Sequence, residues 1–169
     1  VNACENTVMS RYGGMSSDEV VHIVDWIATR GFCYQVNGGW AVDALVGRQT
    51  RAHRDLDLFV DAAGVPDLLS WLLSRGYVED VNEMPSRVEM RRDELRVDVH
   101  PMTVDSANNG TQWNAAGEAI FLHPADRRTS GRIDGHVVCV ATAARLRELR
   151  KGYPPRDEDQ HDLQLLRRL

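Results

Sequence analysis

The sequence predicts an α+β domain, mixed α/β in character, on a largely antiparallel or mixed sheet flanked by helices. Three observations carry that reading. Short helical stretches interleave with strand-like runs, several strands are joined by hairpin-length turns, and neither a repeat nor an interdomain linker interrupts the 169 residues. A hydrophobic content of 43% suffices for one core. A single domain is expected over residues 15–169, with residues 1–14, which show no periodicity, as a flexible leader.

The elements follow in order. Ser16-Ser17-Asp18-Glu19 reads as a capping box, and Val20, Ile23, Val24 and Ile27 recur at helical spacing until Gly31 ends the helix. Phe32–Asn37 predicts a strand, Trp40–Val46 a short helix closed by Gly47, Asp55–Val60 a second strand and Pro66–Ser74 a helix. Tyr77–His100 is strand-like, with a break at Met84-Pro85 and a hairpin turn at Asp93-Glu94 between Arg87–Arg92 and Leu95–His100. Residues 101–117, rich in Asn, Asp, Ser and Gly, are expected to form a polar loop. Short strands follow at Ala119–Leu122 and His136–Val140, then helices near 142–151 and 157–168.

Composition narrows the function classes. A net charge of −5 gives no global reason to expect a nucleic-acid partner and mildly favours a cationic small substrate. Cys4, Cys33 and Cys139 lack metal-finger spacing, and an odd count without a secretory signal points to reduced thiols in a cytosol. No apolar run approaches the ~18 residues of a membrane span. The expectation is a cytoplasmic protein without a membrane partner, a monomer or homodimer.

Chemistry concentrates in two runs. Asn37-Gly38-Gly39-Trp40 is a glycine turn between a strand-like and a helix-like run, which aims free backbone N–H groups at an anion. Arg51-Ala52-His53-Arg54 leads into Asp55-Leu56-Asp57-Leu58, where two carboxylates at i and i+2 of a strand share one face. A later strand, Leu95–His100, alternates Leu95, Val97 and Val99 with Arg96, Asp98 and His100. If these strands are neighbours with polar faces aligned, Asp55, Asp57 and Asp98 converge as ligands for Mg²⁺, which takes a few carboxylates together with phosphates and waters. Two ions roughly 3.5–4 Å apart would then serve the attacking oxygen and the leaving pyrophosphate, with Asp98 as candidate general base.

Each run taken singly has a blander explanation, since glycines serve tight turns and D-x-D occurs in solvated strands. The order of the parts is specific. Strand, GG turn, helix, basic loop, D-x-D strand and distal Asp resemble the polymerase-β-like nucleotidyltransferase superfamily. Gly38-Gly39-Trp40-Ala41-Val42-Asp43, Gly47-Arg48 and Arg51-x-His53-Arg54-Asp55-x-Asp57 are similar to the small antibiotic nucleotidyltransferases. Met84-Pro85-Ser86-Arg87-x-Glu89, Val97-Asp98-Val99-His100-Pro101 and Gly152-Tyr153…Asp159-x-x-Asp162-Leu163 are similar to the lincosamide nucleotidyltransferases in particular. The resemblance spans about residues 17–167. It implies the minimal nucleotidyltransferase fold, ATP as co-substrate with Mg²⁺, a drug hydroxyl as acceptor, Asp55 and Asp57 as metal ligands, Asp98 as third carboxylate and base, and Gly38-Gly39 at the phosphates. The chain departs from its relatives at Arg150, where they carry His two residues before the Gly-Tyr pair.

The remaining candidates keep two readings. Arg51, His53 and Arg54 neutralise triphosphate charge or belong to a solvated loop. Arg87 and Glu89, with Arg91 on one strand face, line the acceptor cleft or form an ion-pair ladder. His100 orients the acceptor or caps its strand, Trp40 is core in preference to a base-stacking platform, and Lys151, the one lysine, reaches phosphate with Tyr153 and Arg156 or is solvated. Asp159 and Asp162 cap or pair with Arg more naturally than they bind a second metal. The function expected is AMP transfer from ATP to a hydroxyl of a small antibiotic, a lincosamide first. The alternatives are an aminoglycoside acceptor, for which the Arg87/Arg91/Arg96 group looks insufficiently acidic, and a nucleotidyltransferase antitoxin acting on a protein partner.

Overall fold

The structure, a computed structural model, describes residues 13–169. Its sheet is assembled from local pairings. The Asp93-Glu94 turn folds β4 (Arg87–Arg92) against β5 (Leu95–Val104), with Asp93 at φ 52, a left-handed position that Asp tolerates. β3 (Val78–Glu83) returns antiparallel along the other side of β4. β1 (Tyr34–Val36) lies antiparallel to β2 (Asp55–Asp61), whereas β2 and β5 run parallel. β8 (Arg128–Ile133) and β9 (His136–Ala141) form a hairpin, and β9 joins β1 in parallel at Val36 and Val140. The order is β3-β4-β5-β2-β1-β9-β8, with β6 (Gly110–Trp113) and β7 (Ala119–His123) branching from the end of β5. The predicted mixed sheet is present.

Five α-helices are described: α1 (Ser17–Thr29), α2 (Gly38–Val46), α3 (Val65–Ser74), α4 (Ala143–Leu149) and α5 (Asp157–Leu166). Val20, Ile23, Val24 and Ile27 of α1 are all buried, in one core with Leu56, Leu58 and Val60 of β2 and Val97 and Val99 of β5. The α1 cap is half of the expected box. Ser16 Oγ accepts from the Glu19 N–H at 3.1 Å. The Glu19 carboxylate instead binds Arg75 at 2.7 Å, Arg92 at 3.1 Å and the Tyr77 hydroxyl at 2.9 Å, because long-range charged donors outcompete one backbone N–H.

Two strands depart from expectation. Residues 101–117 are no continuous loop: β5 runs on to Val104, Asp105 Oδ1 accepts from the N–H groups of Ala107 and Asn109, and Gly110–Trp113 returns as β6. Polar strand residues made this hairpin read as coil. β8 was not predicted, although its turn Asp134-Gly135, with φ 49 and 81, carries the Asp-Gly signal of a tight hairpin. Residues 1–12 of the expected leader lie outside the described residues; Gly14 bridges His53, and the Met15 N–H donates to the His53 carbonyl at 2.8 Å. No helix among the described residues is long and apolar enough to cross a membrane.

Candidate active site

The site originates in the register of β2 on β5. Asp55 stands opposite Arg96, Asp57 opposite Asp98, and Phe59 opposite His100. Alternate residues share a face, so the face turned from the core carries a carboxylate pair followed by an aromatic pair. Asp57, Asp98 and His100 each offer a ligand atom within 4.8 Å of the others. The Phe59 and His100 rings stack at 4.6 Å and 18°. Asp55 is exposed and stands outside that trio, yet it lines the same cleft as Asp57 and its charge acts on the Asp57 carboxyl.

Asp57 is recessed, and the influences on its carboxyl are burial and charge without a hydrogen bond. Burial first, then the charges of Asp98 and Asp55, pushes its pKa up to about 6, while Arg150 and Arg87 pull it back. Gly38 explains how the chain crosses above it. Its φ is 62, and a Cβ there would collide with Asp57 Oδ2. Only glycine lets the turn into α2 lie against the carboxylate. The left-handed residue is thus Gly38. Gly39 is needed for a different close approach, since a Cβ on it would stand 2.5 Å from both Arg51 Nη2 and His53 Nδ1.

Asp98 Oδ1 accepts from Arg87 Nε at 2.6 Å, and its Oδ2 lies 3.8 Å from His100 Nε2. Arg87 also holds Glu89 at 2.8 Å, Glu89 takes Arg96 on its other oxygen, and Arg96 reaches Asp80 at 2.9 Å. Arg87, Glu89 and Arg96 therefore form the ion-pair ladder, and Arg87, Glu89 and the Asp98 they flank stand behind the residues that line the cleft. His53 Nε2 shares a 2.5 Å hydrogen bond with Asp43 Oδ2, and the ring packs on buried Trp40 at 4.7 Å, the core position expected for that tryptophan. Asp43 further accepts from the Thr50 N–H at 3.0 Å.

Asp55, Asp57, His53 and His100 border a cleft of about 630 Å³. Arg51, Arg54 and Arg150 line it with Gly38 and Gly39; Phe59, His100 and Phe121 make up its aromatic part. Lys151 is exposed and absent from the wall, whereas its neighbour Arg150 is in it. The missed signal was helical periodicity. Leu146 is buried and lines the cleft, and Arg150 four residues on shares its side of α4. Asp162, 1% exposed, accepts from Arg51 Nε and Nη2 at 3.0 and 2.9 Å and from Arg150 Nη2 at 3.0 Å. Asp159 closes a capping box with Arg156. Both aspartates pair with arginine, as their spacing on α5 suggested.

Known proteins resemble this chain over most of its length. The family model described as Aminoglycoside-2''-adenylyltransferase matches residues 19–166. A lincosamide resistance protein of Staphylococcus haemolyticus is 30% identical over 155 residues, which are 90% of this chain and 95% of that protein. A lincosamide antibiotic adenylyltransferase crystallised with lincomycin has a TM-score of 0.83 at 26% identity, covering 92% of this chain and 98% of the other. ANT(2'')-Ia in complex with adenylyl-2''-tobramycin has a TM-score of 0.63 at 17% identity over 89% and 86% of the two chains, a likeness of fold.

Proposed function

The chain belongs to the aminoglycoside-2''-adenylyltransferase family, and from that premise we propose that it transfers AMP from ATP to a hydroxyl of a lincosamide, with Mg²⁺, and so inactivates the drug. The observation that carries this reading is the in-register pair Asp57 and Asp98, set beside the Gly38 turn and followed by the aromatic pair Phe59 and His100.

The donors fit a hard divalent cation. Asp57 is an oxygen ligand without a hydrogen-bond partner to compete for it, and Asp98 Oδ2 is the oxygen that Arg87 leaves open. Asp57 and Asp98 would hold Mg²⁺, with Asp55 available for a second ion on the nucleotide side; bound there, the metal offsets phosphate charge and polarises the α-phosphate. The first N–H groups of α2 face the phosphates, and Arg51 and Arg54 supply positive charge along the same wall. Asp98 Oδ2 accepts the proton of the acceptor hydroxyl. The acceptor oxygen bonds to the α-phosphorus, the bond to the bridging oxygen breaks, and pyrophosphate leaves. Glu89, with both oxygens engaged by arginines, is the weaker base.

The acceptor class rests on the cleft. Phe59, His100 and Phe121 offer an aromatic surface suited to a sugar face, in a cleft that four arginines and five carboxylates also line. The Arg87/Arg91/Arg96 group no longer bears on this choice, because its charges are met by Glu89, Asp80 and Asp98. The relatives that carry lincosamide in their names support the same class. A pyrophosphate-release screen with ATP, Mg²⁺, lincosamides and aminoglycosides tests it. Release with lincosamides is expected; release with aminoglycosides alone would move the acceptor, and silence with every drug would sink the reading.

A further inference from the structure

We propose that Asp162 is a positioning residue that holds Arg51 and Arg150 as a paired guanidinium clamp for the β- and γ-phosphates of the nucleotide. The inference rests on the nucleotide half of the function proposed above and adds the residues that direct the triphosphate toward α5.

Asp162 is almost wholly buried on α5, yet its partners come from elsewhere: Arg51 from the loop after α2, Arg150 from the end of α4. Burying a carboxylate between two guanidiniums costs desolvation of three charges and leaves the trio with a net positive charge. A helix anchor alone needs neither the second arginine nor that surplus. α5 already has its own terminus arranged through Arg156 and Asp159.

The surplus charge faces the cleft, which all three residues line. Arg51 Nη2 lies so close to Gly39 that a Cβ there would meet it at 2.5 Å, which sets this guanidinium against the first turn of α2. Arg150 is 7% exposed, with Nη1 on the Leu146 carbonyl at 3.2 Å and Nη2 on Asp162, while Nε is buried without a hydrogen bond, 4.0 Å from an Asp159 carboxylate that Arg156 already engages. That unspent donor belongs to a charge close enough to act on Asp57. An anion extending from the Asp57 end past the α2 N-terminus thus meets Arg51 and Arg150 together, already oriented. A free arginine gives up rotamer freedom when it is fixed, and the clamp removes much of that cost from binding.

The test uses the full chain and inorganic tripolyphosphate as probe, titrated by calorimetry without any drug, with AMP as the comparison ligand. Asp162→Asn and Arg150→Met are expected to weaken tripolyphosphate about tenfold or more and to leave AMP within about twofold. Arg150→Lys, which keeps the charge and loses the fork, should recover part of the loss. In turnover the variants should raise the KM for ATP and leave the KM for the acceptor unchanged. Unchanged tripolyphosphate affinity in folded Arg150→Met would overturn the clamp, and so would an equal loss for AMP, which a purely structural role predicts. Should Asp162→Asn fail to fold, Arg150→Met decides alone. Because binding is read without an acceptor, failure to modify any lincosamide would count against the acceptor and leave this test intact.

Discussion

Replacing Asp57 by Asn should make the metal-free protein more stable while abolishing its turnover. The folded protein raises this carboxyl from its ordinary 3.8 to about 6, chiefly by burial and then by the Asp98 and Asp55 charges. The folded state therefore holds the Asp57 proton more tightly than the unfolded chain does, and stability falls as pH rises through the window from 3.8 to about 6. Above that window the ionised group costs about 3 kcal/mol, and about 2 kcal/mol once solvent reaching the half-buried side chain is allowed for. Asn keeps the shape and removes the charge. Thermal melts in chelator at pH 7 should place Asp57→Asn roughly 4–8 °C above the wild type. The gap should narrow by pH 4, where Asp57 is protonated in the folded protein but still more than half ionised in the unfolded chain, and close below 3.8, where both states hold the proton. Mg²⁺ with ATP should then stabilise the wild type and leave the variant nearly unmoved. A variant that melts with or below the wild type at pH 7, or one with near-normal turnover at limiting Mg²⁺, would refute the argument that Asp57 is a strained carboxylate awaiting a cation.

Three further outcomes are expected. Asp98→Asn should keep ATP binding and lose kcat by about 10²–10⁴-fold, the span of a positioned acid–base group; a nearly wild-type Asp98→Asn beside an inactive Glu89→Gln would transfer the base to Glu89. Gly39→Val, which drives a side chain into Arg51 and His53, should weaken ATP by about 10–100-fold in calorimetry and the drug far less. Phe121→Ala should raise the acceptor KM by about tenfold or more without altering the KM for ATP, because the ring is half-exposed until an acceptor covers it; equal effects on both substrates would remove Phe121 from the acceptor surface.

Much of the site was legible because its parts are local. The alternation in Leu95–His100 and Asp55–Val60 places Asp57, Asp98 and His100 on solvent-side faces whatever else the chain does. The glycine turn is a property of three consecutive residues. The hairpin at Asp93-Glu94 brings Glu89 opposite Asp98, and it too follows from adjacent strands. The hidden strands were legible in principle at Asp134-Gly135, but an edge strand of the composition Arg-Thr-Ser-Gly-Arg gives no hydrophobic pattern to read.

The sequence by itself determined the family, the kinds of element and the side of each strand on which the chemistry stands, because these depend on residue spacing within a few positions. Only the tertiary structure decided which charges are free and which are spent. Asp57 and Asp55 share a strand face, yet the register with β5 puts a carboxylate opposite one and an arginine opposite the other. Arg150 and Lys151 are neighbours in the chain, but the rotation of α4 turns one into the cleft and leaves the other in solvent. His53 is spent on Asp43, Glu89 on Arg96 as well as on its strand neighbour Arg87, and Asp162 on Arg51 and Arg150; of these only the Arg87–Glu89 pair lies within a strand period. A charge is available to a ligand only if packing has not already given it a partner, and partners come from wherever the fold brings distant segments together.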